Sequence, residues 1–139
     1  MVELIVGQKG RGKTKYLLDL AAREISEASG NVAFLDKNSE HIYELNNKIR
    51  LIDMSPYKMK SEQEFIGFIL GLISQDHDLE IVLLDAFLKI SSLEGSDIAP
   101  TINRLEEISK DFGVKFILSV GLDEKDIPAE LKENIIVSL

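Results

Sequence analysis

Short apolar runs alternate with longer stretches of helical period along this chain. VELIV (2–6) is a compact β-rich run. From Thr14 to Ala28, Leu17, Leu18, Leu20, Ala21, Ala22 and Ile25 recur at helical spacing, and Gly30 stands where a helix-ending glycine would. VAFLD (32–36) is a second strand, and Ser39 is a good N-cap for a short helix to about Asn46. IRLIDM (49–54) reads as a third strand. Ser61 with Glu64 three residues on is a capping box, opening a helix through Phe65, Ile66, Phe68, Ile69, Leu70, Leu72 and Ile73. EIVLLDAF (80–87) is a continuous apolar run, the pattern of a strand buried on both faces. An amphipathic helix over 97–112 stops at Gly113. VKFILSV (114–120) is a strand, 127–132 a short helix with Pro128 near its start, and IIVSL (135–139) a last strand.

Strands alternating with helices predict right-handed crossovers. The expected fold is a three-layer α/β/α sandwich around a mostly parallel sheet of five to six strands. Residues 1–139 form one domain, with no internal repeat, low-complexity segment or linker. A single core of this size buries roughly 68–70% of the surface its unfolded chain exposes. With 45% hydrophobic residues, it needs no staples.

Composition then removes possibilities. There is no cysteine, which excludes disulfides, thiolate metal sites and cysteine nucleophiles. His41 and His77 lack metal-site spacing. The net charge of −8 disfavours a nucleic-acid partner, which would need clustered lysine and arginine. The one basic cluster is Lys9, Arg11, Lys13 and Lys15. The apolar start and FIGFILGLI (65–73) are both too short for a membrane span. The expectation is a soluble, cytoplasmic protein.

In parallel sheets ligands sit at the carboxyl ends of strands, so the residues just after each strand are the candidates. After the first strand comes GQKGRGKT (7–14), which fits G-x-x-x-x-G-K-[ST] at every fixed position. Gly7, Gly10 and Gly12 let the backbone curl so that amides point inward at an anion. The following helix adds its positive end. The competing reading is a chance Gly/Lys-rich turn. The strand before and the helix after favour the cradle.

This arrangement resembles the P-loop NTPases, and GQKGRGKT resembles their Walker A motif. The resemblance implies that Gly7, Gln8, Lys9, Gly10, Arg11, Gly12, Lys13, Thr14 and Lys15 surround the phosphates. Lys13 would reach the β- and γ-phosphates, and the Thr14 hydroxyl would ligate Mg2+. Lys9 and Arg11 belong at the loop rim. Asp85, behind four apolar residues, resembles Walker B, whose aspartate serves Mg2+. The residue after it is Ala86, not a catalytic glutamate. VAFLDKNSEH resembles the strand that carries the catalytic glutamate in RecA-like (ASCE-type) ATPases. Asn38 holds the glutamate's place, leaving Asp36 or Glu40 as substitutes. The plainer reading makes these turn and cap residues. Ser119 stands where RecA-like proteins carry a polar sensor.

The same resemblance implies a strand order: C-terminal, Walker A, sensor, Walker B, then VAFLD. It extends to small stand-alone bacterial ATP-binding proteins labelled PilT-like. No guanine-reading N-K-x-D occurs, so ATP is favoured over GTP. The implied function is Mg-ATP binding with slow or partner-activated ATPase activity. The alternative is a non-hydrolysing nucleotide switch or adaptor. A small-molecule kinase is third, for want of an arginine-bearing lid. The helix Phe65–Ile73 is apolar on nearly every face, which marks it for a protein partner or a second copy, unless the DMSPYKMK loop (53–60) covers it.

Overall fold

The computed structural model describes residues 1–139. Six strands form one sheet: β1 (Val2–Val6), β2 (Asn31–Asp36), β3 (Ile49–Asp53), β4 (Leu79–Leu84), β5 (Lys115–Val120) and β6 (Ile135–Ser138). Their order is β3-β2-β4-β5-β1-β6, and every pairing is parallel. The order expected from β6 through β2 holds, with β3 added outside β2.

Four helices cover the sheet: α1 (Lys13–Glu27), α2 (Glu62–Ser74), α3 (Phe87–Ile90) and α4 (Ala99–Phe112). Strand pleating divides the apolar residues between two cores. Val32, Phe34, Ile81, Leu83 and Ile117 pack with Leu17, Leu20 and Ala21 of α1 in a core of 10 buried residues. Ala33, Leu35, Val82, Leu84, Phe116 and Leu118 pack with α2, α3 and α4 in a core of 28. The inner strands can be apolar on both faces because both faces are covered. No helix is long and apolar enough to cross a membrane.

Register aligns the strand ends. Leu35 pairs with Leu84, Leu84 with Leu118, and Val6 with Val120. Asp36, Asp85, Ser119 and Gly7 therefore follow along one edge of the sheet. The pleat turns Asp36 and Ser119 toward the face that carries α1.

Several boundaries differ from expectation. The strand expected over 80–87 ends at Leu84, because Ala86 adopts a left-handed conformation (φ 53°) and the chain turns into α3. The helix expected from Ser39 is a single 3-10 turn, Ile42–Glu44. There Asn38 Oδ1 accepts from the Glu40 amide at 3.0 Å, so the side chain shapes a turn instead. The short helix near Pro128 is also 3-10, Ala129–Asn134. Gly30 is not a left-handed cap. The Asp78 carbonyl packs where its Cβ would be.

The capping hydroxyl of Ser61 accepts from the Glu64 amide at 3.1 Å, as expected. Phe65, Ile66, Ile69 and Ile73 of α2 are buried. Tyr57 from the 53–60 loop sets its ring 5.9 Å from that of Phe68, and Met59 is buried beneath. The outward strip of α2 carries Gly67 and Gly71, and no large apolar side chain of the helix is exposed. The loop thus accounts for much of the apolarity that marked this helix for a partner.

Candidate functional site

The loop between β1 and α1 bends on glycines. Gly7, Gly10 and Gly12 have φ of 150°, 84° and 92°, values that side chains rarely adopt. At Gly7 a Cβ would also stand 2.7 Å from the Leu139 carbonyl oxygen. The loop is held from below: the Gly7 amide donates to Leu122 O at 2.8 Å, and Gln8 Nε2 to Asp123 Oδ2 at 3.0 Å.

Gly12 is the N-cap of α1 and supplies no capping side chain, and the first turn contains no acid. The amides of Lys9, Gly10, Gly12, Lys13, Thr14 and Lys15 donate to no group of the chain. Unpaired helix-terminal amides form an anion site. Lys13 Nζ donates to Gln8 O at 3.0 Å, closing the loop on itself. Burial pulls the Lys13 pKa below its ordinary value, and the Asp85 carboxylate offsets part of that.

Asp85 is 4% exposed and well satisfied. Thr14 Oγ1 donates to its Oδ2 at 3.0 Å. Ser119 Oγ donates to its Oδ1 at 2.7 Å, and the Ala86 amide reaches the same oxygen at 3.0 Å. That amide also lies 2.9 Å from Ser119 Oγ. The left-handed turn at Ala86 then takes the chain directly from the end of β4 into α3.

Asp36 is fully buried, and neither carboxylate oxygen has a hydrogen-bond partner. Burial raises its pKa, and the Asp85 charge raises it further. His41 and the nearby Lys37 and Asn38 amides act in the opposite direction, although neither amide completes a bond. Glu40 points elsewhere: it is exposed and pairs with His41 Nε2 at 3.2 Å. The His41 pKa is raised, first by its hydrogen bond to Glu44.

These groups surround a cleft of about 460 Å3. Gln8, Lys9, Gly10, Gly12, Lys13, Thr14, Asp85 and Ser119 line it, as the sequence reading expected. Gly7 lies beneath the loop, while Arg11, Lys15, Asp36 and Glu40 are not part of the lining. Three charged residues had been missed: Lys37, Lys89 and Glu94. Lys37 follows β2 directly and was within reach of strand-end reasoning. Lys89 and Glu94 arrive only through the turn at Ala86, which leaves no signal in the sequence.

The donor set suits a magnesium–triphosphate. Unbonded amides and a lysine could receive an anion, and a hydroxyl–carboxylate pair offers the hard oxygens that Mg2+ prefers.

No family model matches this sequence, and no curated protein does. Among solved structures, the flagellar accessory protein FlaH from Methanocaldococcus jannaschii superposes with a TM-score of 0.64 at 10% identity. The match covers 98% of this chain and 70% of that one. The fold is RecA-like. At that identity the likeness speaks for the fold alone.

Proposed function

We propose that this protein binds Mg-ATP, with the triphosphate seated in the Gly7–Thr14 loop, and is a slow or partner-activated ATPase. The observation that carries this reading is the uncapped, amide-lined start of α1 between Lys13 and the Thr14–Asp85 pair. Thr14 and Asp85 would hold Mg2+, which offsets charge on the phosphate oxygens when bound. Lys13 exchanges the Gln8 carbonyl for phosphate oxygens. Ser119 and the Ala86 amide keep the Asp85 carboxylate oriented.

Slow hydrolysis follows from the scarcity of a base. A general base must come within hydrogen-bond reach of the attacking water. Asp36 lies behind the lining, and Asn38 is spent on a turn. Glu94 is the only carboxylate in the lining apart from Asp85. The same scarcity favours a second reading, a nucleotide switch that does not hydrolyse.

The test is thermal unfolding with and without Mg-ATP, on wild type and Lys13→Ala, with phosphate release measured on the same samples. Ligand at 100 times Kd stabilises by about 2.7 kcal/mol. A shift that Lys13→Ala abolishes, with phosphate released and release lost in Glu94→Gln, supports the ATPase. The shift without phosphate supports the switch. No shift in the wild type overturns both.

A further inference from the structure

A second cleft of about 310 Å3 lies against the first, and Lys37 and Lys89 line both. Its floor is apolar: Met54, Met59 and Ile90 line it and are buried. Its rim carries Ser55, Tyr57, Lys58 and Ser92. Three lysines therefore converge on one apolar floor from three segments: the end of β2, the loop after β3, and α3.

Three lysines and no acidic residue line this cleft, the nearest carboxylates in a lining being Asp85 and Glu94 of the first cleft. Lys37, Lys58 and Lys89 join no ion pair. In a protein with 24 acidic residues, a cleft lined by three lysines and no carboxylate is an attractive seat for an anion.

The walls are also tied together. Ser92 Oγ donates to the Met59 carbonyl at 2.6 Å, fastening the loop after β3 to the end of α3. Ala86 (φ 53°) and Ser92 (φ 60°) bracket α3, both left-handed without being glycine. Such conformations persist where the surroundings over-determine them, and they cluster at ligand sites. The cleft is thus a pre-formed one, with an apolar floor and a few convergent polar groups.

We infer that this second cleft binds a small anionic molecule, with a phosphate or carboxylate head between Lys37, Lys58 and Lys89 and an apolar body on Met54, Met59 and Ile90. The volume suits a compact ligand. The methionines adapt to either an aromatic or an aliphatic body. Because Lys37 and Lys89 serve both clefts, an occupant here draws them away from the phosphate cleft. It therefore weakens nucleotide binding, and nucleotide weakens it by the same factor. Only this coupling rests on the nucleotide reading above; the site itself stands on its own lining.

Phenyl phosphate is the probe. The 15N-labelled protein is titrated with it and, separately, with inorganic phosphate, following backbone amide shifts. Expected are saturable shifts at Ser55, Tyr57, Ile90 and Ser92, weaker with inorganic phosphate, which lacks the apolar body. Lys58→Ala, a surface substitution that leaves the core intact, should weaken phenyl phosphate on the order of fivefold. Lys13→Ala should retain the shifts at Ser55 and Ile90. Saturable shifts at Ser55 and Ile90 in a wild-type protein that Mg-ATP does not stabilise would sink the nucleotide reading and leave this one standing. Shifts confined to the amides of Gly10 to Lys15, or an affinity unchanged in Lys58→Ala, would overturn the second site. Equal affinities for the two probes would overturn the apolar seat.

Discussion

Asp36 and Asp85 close neighbouring strands and follow paired residues, Leu35 and Leu84. In sequence they look alike: four apolar residues, then an aspartate. In the structure they are opposites. The Asp85 carboxylate accepts from Thr14, Ser119 and the Ala86 amide, whereas that of Asp36 is more deeply buried and accepts from nothing. The donors around each carboxylate make the difference. Two hydroxyls and the next amide converge on Asp85. After Asp36 the chain runs on into the loop that ends in the turn at Ile42–Glu44. A buried carboxylate is worth what surrounds it. The first of these is a carboxylate fixed by three donors; the second is a buried acid whose raised pKa favours its proton.

The largest expected effect removes the satisfied member. Asp85→Ala leaves the hydroxyls of Thr14 and Ser119 without their acceptor, while the Ala86 amide keeps Ser119 Oγ, and unpaired buried donors cost about 1–3 kcal/mol each. We expect a loss of about 3 kcal/mol in urea unfolding. The magnesium-dependent part of nucleotide stabilisation should vanish with it. An Asp85→Ala protein as stable as wild type would mean that this network contributes nothing.

The opposite sign is expected at Asp36. Its folded pKa lies above the ordinary 3.8. Below the ordinary value both states are protonated and no penalty arises. As pH rises through the raised folded value, the native state must ionise a buried carboxylate, and stability is lost. Asp36→Asn escapes that loss. It should gain on the order of 1 kcal/mol at neutral pH, because the amide has no charge to bury although it too lacks a partner. The gain should fade as pH falls toward the ordinary value. Urea midpoints across pH measure it, and a gain that does not depend on pH would contradict the buried acid.

The same pair shows how much was legible beforehand. Element order, the parallel sheet and the lining from Gln8 to Thr14 follow from apolar period and glycine spacing, which are local signals. So does Asp85, because an apolar run ending in an acid is visible along the chain. The environment of Asp36 is not local. It depends on β3 joining the sheet outside β2 and on the loop after it staying clear of the carboxylate. Glu40 is a candidate base in the sequence because, like Asp36, it flanks Asn38, which holds the glutamate's place. A turn bonded by Asn38 and an ion pair to His41 carry it away from the cleft. Lys89 and Glu94 were hidden because alanine gives no hint of the left-handed turn that brings them in. The apolar period of α2 was read correctly, but its cover by Tyr57 and Met59 comes from a loop with no period of its own.

A smaller effect separates the carboxylate from its holder. Ser119→Ala removes one donor to Asp85 and one acceptor for the Ala86 amide, while Thr14 and that amide still bind the carboxylate. The expected cost is about 1 kcal/mol of stability, the net value of one hydrogen bond. Magnesium-dependent nucleotide affinity should fall with it, and affinity for nucleotide without magnesium should not. If both fall equally, Ser119 supports the cleft as a whole and does not orient Asp85.

The smallest change addresses the turn that follows Asp85. Ala86 holds φ 53° with a Cβ, a conformation costing an alanine roughly 1–2 kcal/mol. Ala86→Gly removes that strain, but it also loosens the unfolded chain by somewhat under 1 kcal/mol. The net expectation is a gain of about 0.5 kcal/mol, against the loss usual for alanine to glycine in a helix. Because the amide is retained, its bonds to Asp85 and Ser119 persist, and the magnesium dependence of nucleotide binding should match wild type. A loss of stability in Ala86→Gly would mean that Ala86 is not strained.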